Sequence, residues 1–132
     1  MLRETLGCGV VDSGCITTVC GDIWYKSYVE TLSENDRRRI ISKSSDHKFR
    51  FGVGKIFHSK EEVILPMYID DIQILMKIQV IEAKIPLLIS RNSLKKANAH
   101  LNFEKDTLDI LGKQISLKVT TSGHYCIPLR KA

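Results

Sequence analysis

The chain has 132 residues, of which 43% are apolar and 27% are charged, with 8 glycines and 3 prolines. This size and composition predict one domain spanning residues 1–132, and they exclude a disordered tail, a collagen and a mini-protein held by disulfides. The net charge of +5 permits anionic partners without requiring them. No apolar run approaches the roughly 18 residues of a membrane-spanning helix, and the first residues lack the apolar stretch of a secretory signal. We therefore expect no membrane partner and a cytoplasmic location.

The four cysteines, Cys8, Cys15, Cys20 and Cys126, include no C-x-x-C pair. His124 and Cys126 could join Cys15 and Cys20 at a zinc ion, but the spacings do not match the two tight ligand pairs of a structural zinc site. We expect reduced thiols that pack as small apolar side chains, with no metal and no cofactor.

The first third of the chain predicts two short strands, at residues 7–11 and 16–19, followed by two helices. From residue 22 the apolar side chains recur at spacings of three to five, which is typical of one helix face. Ser33, with Asp36 three residues later, predicts the start of a second helix. This helix should carry the arginine run 37–39 outward and Ile40 and Ile41 inward. Such a run is more often a solvated face than a binding site.

After a polar loop at residues 42–46, the rest of the chain predicts mainly strands. Glycines punctuate a first hairpin near residue 53, and Asp70 and Asp71 mark the turn of a second. A short helix is expected at residues 93–99. The predicted strands are residues 48–51, 55–58, 63–69, 72–81, 85–89, 101–103, 107–111, 115–119 and 125–129. Many short strands with few helices predict a mainly-β, barrel-like domain.

The most informative segment is the pentad Val10-Val11-Asp12-Ser13-Gly14. A carboxylate placed directly after a buried strand, with a hydroxyl and a glycine behind it, suits a tight loop that presents the acid. The triplet Asp-Ser-Gly also occurs by chance in ordinary turns, so its weight depends on its position and on the segments that come after it in the chain.

Four segments, in order, resemble the retropepsins, the aspartic proteases of retroviruses and LTR retrotransposons. Residues 11–15 resemble the catalytic loop, residues 49–57 the flap hairpin, and residues 85–94 the second hydrophobic loop with the helix after it. Residues 118–129 are similar to the end of protease domains in retrotransposon polyproteins. The chain departs from the family at Ser13, where retroviral enzymes usually have threonine, and at Ser90, where a glycine commonly precedes the arginine.

The resemblance implies a mainly-β, retropepsin-like closed β-barrel with a flap hairpin and one or two short helices. It also implies an aspartic endopeptidase that processes a retrotransposon polyprotein. Asp12 would be catalytic, and Ser13 and Gly14 would complete the active-site loop. Substrate would be bound by the flap and by a pocket that contains Leu88. The implied flap residues are Phe51, Gly52, Val53, Gly54 and Ile56.

The chain has a single Asp-Ser-Gly, whereas this chemistry needs two carboxylates that face one water. The second must come from another copy, so we expect a homodimer with Asp12 of each chain at the two-fold axis. The expected partners are thus a second copy and an extended peptide or polyprotein substrate. Residues 125–129 are the expected inter-chain strand.

Two alternatives remain open. One is a catalytically weak or inactive module of the same fold that dimerises or binds peptides. The other is a nucleic-acid-binding domain built on the arginine run and the basic residues Lys113, Lys118, Arg130 and Lys131. Nucleic acid is the less supported partner, because the aromatic residues sit at core-like positions and no recognition motif is present.

Overall fold

The computed structural model describes residues 3–50 and 55–130, in which strands greatly outnumber helices. The mainly-β class is therefore confirmed. The strands are β1 (Cys8–Asp12), β2 (Val19–Gly21), β3 (Ile41–Ser44), β4 (Lys48–Arg50), β5 (Ile56–Ile69), β6 (Ile72–Ile81), β7 (Leu87–Ser90), β8 (His100–Asn102), β9 (Thr107–Ile110), β10 (Lys113–Ser116), β11 (Lys118–Val119) and β12 (Tyr125–Pro128). The helices are α1 (Asp22–Thr31), α2 (Glu34–Arg38) and α3 (Arg91–Lys96), after a 3₁₀ turn at Arg3–Thr5. None of the described helices is long and apolar enough to span a membrane.

The main sheet places β1 in its interior. Its strand order is β11-β12-β1-β7-β2-β6-β5-β3, with β4 paired to β5 outside this path. β1 runs antiparallel to β12 and parallel to β7, so Asp12, at the end of β1, lies opposite Ser90. A separate antiparallel sheet contains β8, β9 and β10. The acidic residue singled out in the sequence is therefore carried by a strand with a neighbour on each side.

The long hairpin of β5 and β6 supplies much of the core. It turns at Asp70 and Asp71 as predicted, and its strands pair from Ile69 opposite Ile72 back to Ser59 opposite Ile81. Leu65, Met67 and Ile78 are fully buried. Burial of such side chains stabilises a fold by about 1.5–3 kcal/mol each.

Helix α1 joins three distant parts of the chain. Trp24 and Tyr28 are fully buried one helical turn apart, and their rings stack with centroids 5.0 Å apart. Trp24 Nε1 donates to the carbonyl of Thr5 at 3.0 Å. The Tyr28 hydroxyl lies within donating distance of the Pro66 and Leu129 carbonyls, at 3.0 and 3.1 Å. The predicted apolar helix face therefore fastens the first residues, β5 and the segment after β12 together.

Two predictions made around residues 33–46 have different outcomes. Ser33 caps α2, accepting from the Asp36 amide at 3.2 Å, as predicted. The expectation that this helix continues and buries Ile41 is wrong, because α2 ends at Arg38 and Ile41 begins β3 with 60% of its surface exposed. The expected loop at residues 42–46 is also mostly strand. β3 is exposed along its length, so it has no apolar alternation to reveal it, and only its pairing with β5 makes it a strand.

Helix α3 begins earlier than the predicted residues 93–99. Ser90 is its N-cap and accepts from the amide of Ser93 at 3.1 Å, so the helix spans Arg91–Lys96. A serine before a helix is a strong cap signal. Ser90 replaces the glycine that is common at this position in the retropepsins. In this structure its hydroxyl caps α3.

Candidate active site

Asp12 is half-buried at the point where β1 enters a tight loop. The Gly14 amide donates to Asp12 Oδ1 at 3.1 Å, and the Cys15 amide donates to the Asp12 carbonyl at 3.1 Å. One carboxylate oxygen is thus held by the backbone of its own loop. This contact orients the side chain, and among the described residues the other carboxylate oxygen accepts no hydrogen bond.

Ser13 and Gly14 are both exposed in this loop. Gly14 does not adopt a left-handed conformation, and an added Cβ would meet only Asp12 Oδ1, at an ordinary contact distance of 3.4 Å. Within one chain, Gly14 therefore acts through its amide rather than through conformational freedom.

A ring of three hydroxyls lies behind the loop. Thr18 Oγ1 donates to Ser90 Oγ at 3.0 Å, Ser90 Oγ donates to Ser93 Oγ at 3.1 Å, and Ser93 Oγ is 2.7 Å from Thr18 Oγ1. The Ser90 amide also donates to Thr18 Oγ1 at 3.0 Å. Thr18 and Ser90 are 3% and 1% exposed. The ring ties the chain before β2 to the end of β7 and the first turn of α3, directly beside Asp12.

Two further hydrogen bonds hold the outer part of the loop against α3. The Arg91 amide donates to the Cys15 carbonyl at 3.0 Å, and Asn92 Nδ2 donates to the Ile16 carbonyl at 3.1 Å. The Asp12 loop is therefore supported on one side by its own turn and on the other by the start of a helix.

A cleft of about 500 Å³ opens in front of Asp12. One wall is the loop after β1 and the other is the strand β4 with the residue before it. The described lining residues are Asp12, Gly14, Cys15, Ile16, Thr17, His47, Lys48, Phe49 and Arg50. The cleft thus lies between the two segments that resemble a catalytic loop and a flap.

The predicted flap hairpin is confirmed where it is described. β4 pairs with the start of β5, with Lys48 opposite His58 and Arg50 opposite Ile56. The predicted tip residues Phe51, Gly52, Val53 and Gly54 lie outside the described residues. Ile56 is 50% exposed and is not among the described residues that line the cleft, so its contact with substrate remains a prediction.

Leu88 lies on β7, next to β1. It is opposite Val10 in the parallel pairing of β1 and β7, and it packs, half-buried, against Val10, Cys8 and Cys126. It does not belong to the described cleft lining of one chain. Its place in a substrate pocket therefore also remains a prediction.

The cysteines behave as apolar groups. Cys8, Cys20 and Cys126 are at most 5% exposed, which confirms the expected packing role. Burial raises the pKa of the Cys126 thiol to about 11. At the cleft, burial and then the charge of Asp12 raise the pKa of the Cys15 thiol, which donates to the Thr17 carbonyl at 2.8 Å. Cys15 therefore stays a neutral thiol at neutral pH. In the described ranges no three His, Cys, Asp or Glu side chains gather as metal ligands.

The arginine run is engaged within the fold. The guanidinium of Arg37 donates to the carbonyls of Val29 and Glu30, at 3.1 and 2.9 Å, where α1 ends. Arg38 forms an ion pair with Glu34 at 2.8 Å. Capping the end of α1 explains the position of Arg37 without a nucleic-acid partner.

Sequence reasoning missed most of the cleft walls. It placed Cys15 in the loop without giving it a role, and it did not single out His47 or Lys48 as site residues. Their adjacency to the Asp12 loop and to the flap hairpin was the available signal. The cleft itself depends on how β4 folds back over residues 12–17, and no local pattern encodes that.

No protein-family profile matches this chain, and no curated protein matches it. Among solved structures it is similar to the retroviral protease-like domain of Ddi1 from Leishmania major, with a TM-score of 0.57 and 17% sequence identity. The match covers 82% of this chain and 81% of that chain. At this level of identity, the similarity establishes that the described chain has a mainly-β, retropepsin-like fold.

Proposed function

We propose that this protein is an aspartic endopeptidase in which Asp12 activates the hydrolytic water. One observation carries the proposal. The Asp12 carboxylate, at the end of an interior strand and hydrogen-bonded to the Gly14 amide, lines a cleft. The opposite wall of this cleft is the β4 side of a β-hairpin. The retropepsin-like fold agrees with this arrangement.

The reaction requires two carboxylates that share one proton. One carboxylate takes a proton from water as it attacks the peptide carbonyl, while the protonated one donates to the carbonyl oxygen. In the second step the first acid gives the proton taken from water to the peptide nitrogen, the C–N bond breaks and the amine leaves, while the hydroxyl formed from the carbonyl oxygen returns its proton to the second carboxylate. Because the two acids are coupled, they titrate as a pair.

A second copy would supply the second acid. Asp12 is the only carboxylate among the described lining residues of the cleft. Asp70 and Asp106 occupy turns with φ of 57° and 52°, and Asp46 is paired with His58 at 2.7 Å. A homodimer with one Asp12 from each chain is therefore our preferred assembly.

The inter-chain strand expected at residues 125–129 needs revision. On β12, Cys126 already pairs with Val10 on one side and with Lys118 on the other. A partner strand added to this end of the sheet would meet β11, whose residues Lys118 and Val119 are exposed. We therefore favour the edge of β11 over β12 for any pairing between copies.

The proposed substrate is an extended peptide. In the cell, we propose that this peptide is a segment of a retrotransposon polyprotein that the enzyme processes. A second candidate function is a peptide-binding or dimerising module without turnover. The observation that favours it is the single carboxylate in the described cleft of one chain. If two copies do not bring their Asp12 residues together, the cleft can still bind a peptide, but the pair of carboxylates needed for hydrolysis is missing.

The first test compares Asp12→Asn with Asp109→Asn, an exposed residue of β9 far along the chain from the cleft. Cleavage of a peptide library by Asp12→Asn should fall by about a thousandfold or more with the fold retained, whereas Asp109→Asn should cleave normally. Near-normal cleavage by purified Asp12→Asn would exclude the proposed chemistry.

The second test measures rate against protein concentration beside analytical ultracentrifugation. Specific activity should rise as monomers associate and then level off. A dimer that binds peptides without cleaving them would favour the binding module. Constant specific activity from a demonstrable monomer would show that one chain holds a complete site.

A further inference from the structure

The walls of the cleft carry an unequal charge. Its described lining contains one carboxylate, Asp12, against Lys48, Arg50 and His47. The three basic residues lie together on the arm formed by β4 and the residue before it, and all three are exposed. Asp12 lies on the opposite wall. We call the three basic residues of this arm, His47, Lys48 and Arg50, the basic rim.

The acidic residue next to the rim, Asp46, is hydrogen-bonded away from Lys48 and Arg50. Asp46 is paired with His58 across the hairpin at 2.7 Å. Within the described ranges neither Lys48 nor Arg50 forms an ion pair. Lys48 and Arg50 are two residues apart on a strand and so share one face. Two cations at this spacing suit two anionic groups on a neighbouring extended chain.

The lining of the cleft also contains apolar side chains. Ile16 is 73% exposed on the loop wall, and Phe49, which lies on the opposite face of β4 from Lys48 and Arg50, is half-buried. The neutral thiol of Cys15 lies between Asp12 and Ile16 in sequence. An extended peptide in this cleft would thus meet Ile16 on the wall that carries Asp12 and the cations of Lys48 and Arg50 on the opposite wall.

We propose that the cleft selects extended peptides with acidic residues flanking an apolar centre, with Lys48 and Arg50 as the specificity-determining residues. The inference rests on the proposed function for the identity of the cleft. In a two-fold dimer the rim occurs once at each end of the substrate, so acidic residues are favoured on both sides of the cleaved bond. Nucleic acid is disfavoured, because its backbone would bring phosphates close to Asp12.

The test uses three eight-residue peptides with the same apolar centre, flanked on each side by two glutamates, two glutamines or two lysines. Each is made with a normal central peptide bond for cleavage and with an uncleavable reduced bond for calorimetric binding to the wild-type protein. The glutamate peptide should bind about fivefold more tightly than the glutamine peptide at low salt, and the lysine peptide should bind most weakly. The difference should shrink at about 0.5 M salt, where the Debye length is only a few ångströms.

The rim variant carries both Lys48→Glu and Arg50→Glu. Its control is Lys26→Glu, a charge reversal at an exposed position on α1. Reversing the rim should invert the order of the three peptides, whereas Lys26→Glu should keep the wild-type order. Equal binding of all three peptides, or an unchanged order in the rim variant, overturns the inference. Tighter binding of a 20-nucleotide single strand than of the glutamate peptide also overturns it.

The two readouts separate this inference from the proposed function. If the reduced-bond peptides follow the expected order but no normal peptide is cleaved, the rim holds and the endopeptidase proposal fails. If all normal peptides are cleaved equally and the reduced-bond peptides bind equally, the endopeptidase proposal stands and the rim has no role in selection.

Discussion

The two walls of the cleft are built in contrasting ways. The Asp12 wall is backed by buried groups, with the hydroxyl ring of Thr18, Ser90 and Ser93 beside it. The arm on the other side is exposed at His47, Lys48 and Arg50, and its described ladder contains only three residue pairs. At its base the Ser59 amide donates to the His47 carbonyl at 2.8 Å, and β4 pairs with β5 outside the main strand path.

Under the proposed function, the contrast suits a different task for each wall. A carboxylate that shares a proton with another needs a fixed position, and interior strands with satisfied polar groups supply it. A cover over a peptide has to open and close, so it belongs to a segment with few buried contacts. We therefore expect the wall that carries Asp12 to be the more rigid and the β4 wall to be the more mobile.

Hydrogen exchange should show the largest difference between the walls. Amides of β4 should exchange at least about a hundredfold faster than those of β7, because opening the arm breaks few buried contacts. Exchange measured by mass spectrometry on peptides covering the two strands checks this. Equal protection of β4 and β7 would contradict the assignment of the arm as a movable cover.

Removing the Thr18 hydroxyl should be the next largest effect. Thr18→Val leaves the buried amide of Ser90 without its acceptor and opens the ring, so the free energy of unfolding should fall by about 2 kcal/mol. Activity should fall as well, because the ring supports the residue opposite Asp12. Urea unfolding measures the first effect and peptide cleavage the second. Thr18→Ser keeps the hydroxyl and should stay within about 1 kcal/mol of the wild type; an equal loss in both variants would show that the ring is not responsible.

Asp36 links α2 to the β5–β6 hairpin and should contribute to acid sensitivity. The hydrogen bond from Tyr68 at 2.7 Å, followed by that from Gln73, lowers the pKa of the Asp36 carboxyl. A carboxyl whose pKa is lower in the folded state than in the unfolded state stabilises the fold at pH values above its unfolded pKa of about 3.9. This stabilisation is lost as the pH falls through the pKa of the folded state.

Asp36→Asn should therefore be less stable than the wild type at pH 7, and its stability should fall less steeply below about pH 4. Thermal unfolding followed across that range checks the slope, with Asp109→Asn as the control. Parallel pH profiles for the wild type and Asp36→Asn would rule out this linkage.

The smallest effect is expected at the exposed pair of the arm. Asp46 and His58 expose 81% and 52% of their side chains. A contact so open to solvent contributes little to stability, so Asp46→Asn should change Tm by less than about 2 °C. A larger fall would show that the arm is held more firmly than its exposure indicates.

Local spacing was enough to predict the parts of this protein that depend on neighbours in the chain. Asp12 follows an apolar strand, Ser33 caps a helix, and Asp70 and Asp71 turn a hairpin, and all three features appear where expected. Each depends on the periodicity of a single segment or on a turn residue, which local physics determines. The mainly-β class follows from the number of such segments.

Contacts between distant segments decided the rest. β3 is a strand only because β5 pairs with it. Arg37 donates to the Val29 carbonyl in the last turn of α1, a helix that ends before Arg37 is reached in the chain. The cleft also exists only where the arm at His47–Arg50 lies across from residues 12–17. Such contacts join residues that no sequence period relates, so their positions depend on how the strands pack and on which polar groups must be satisfied once they are buried.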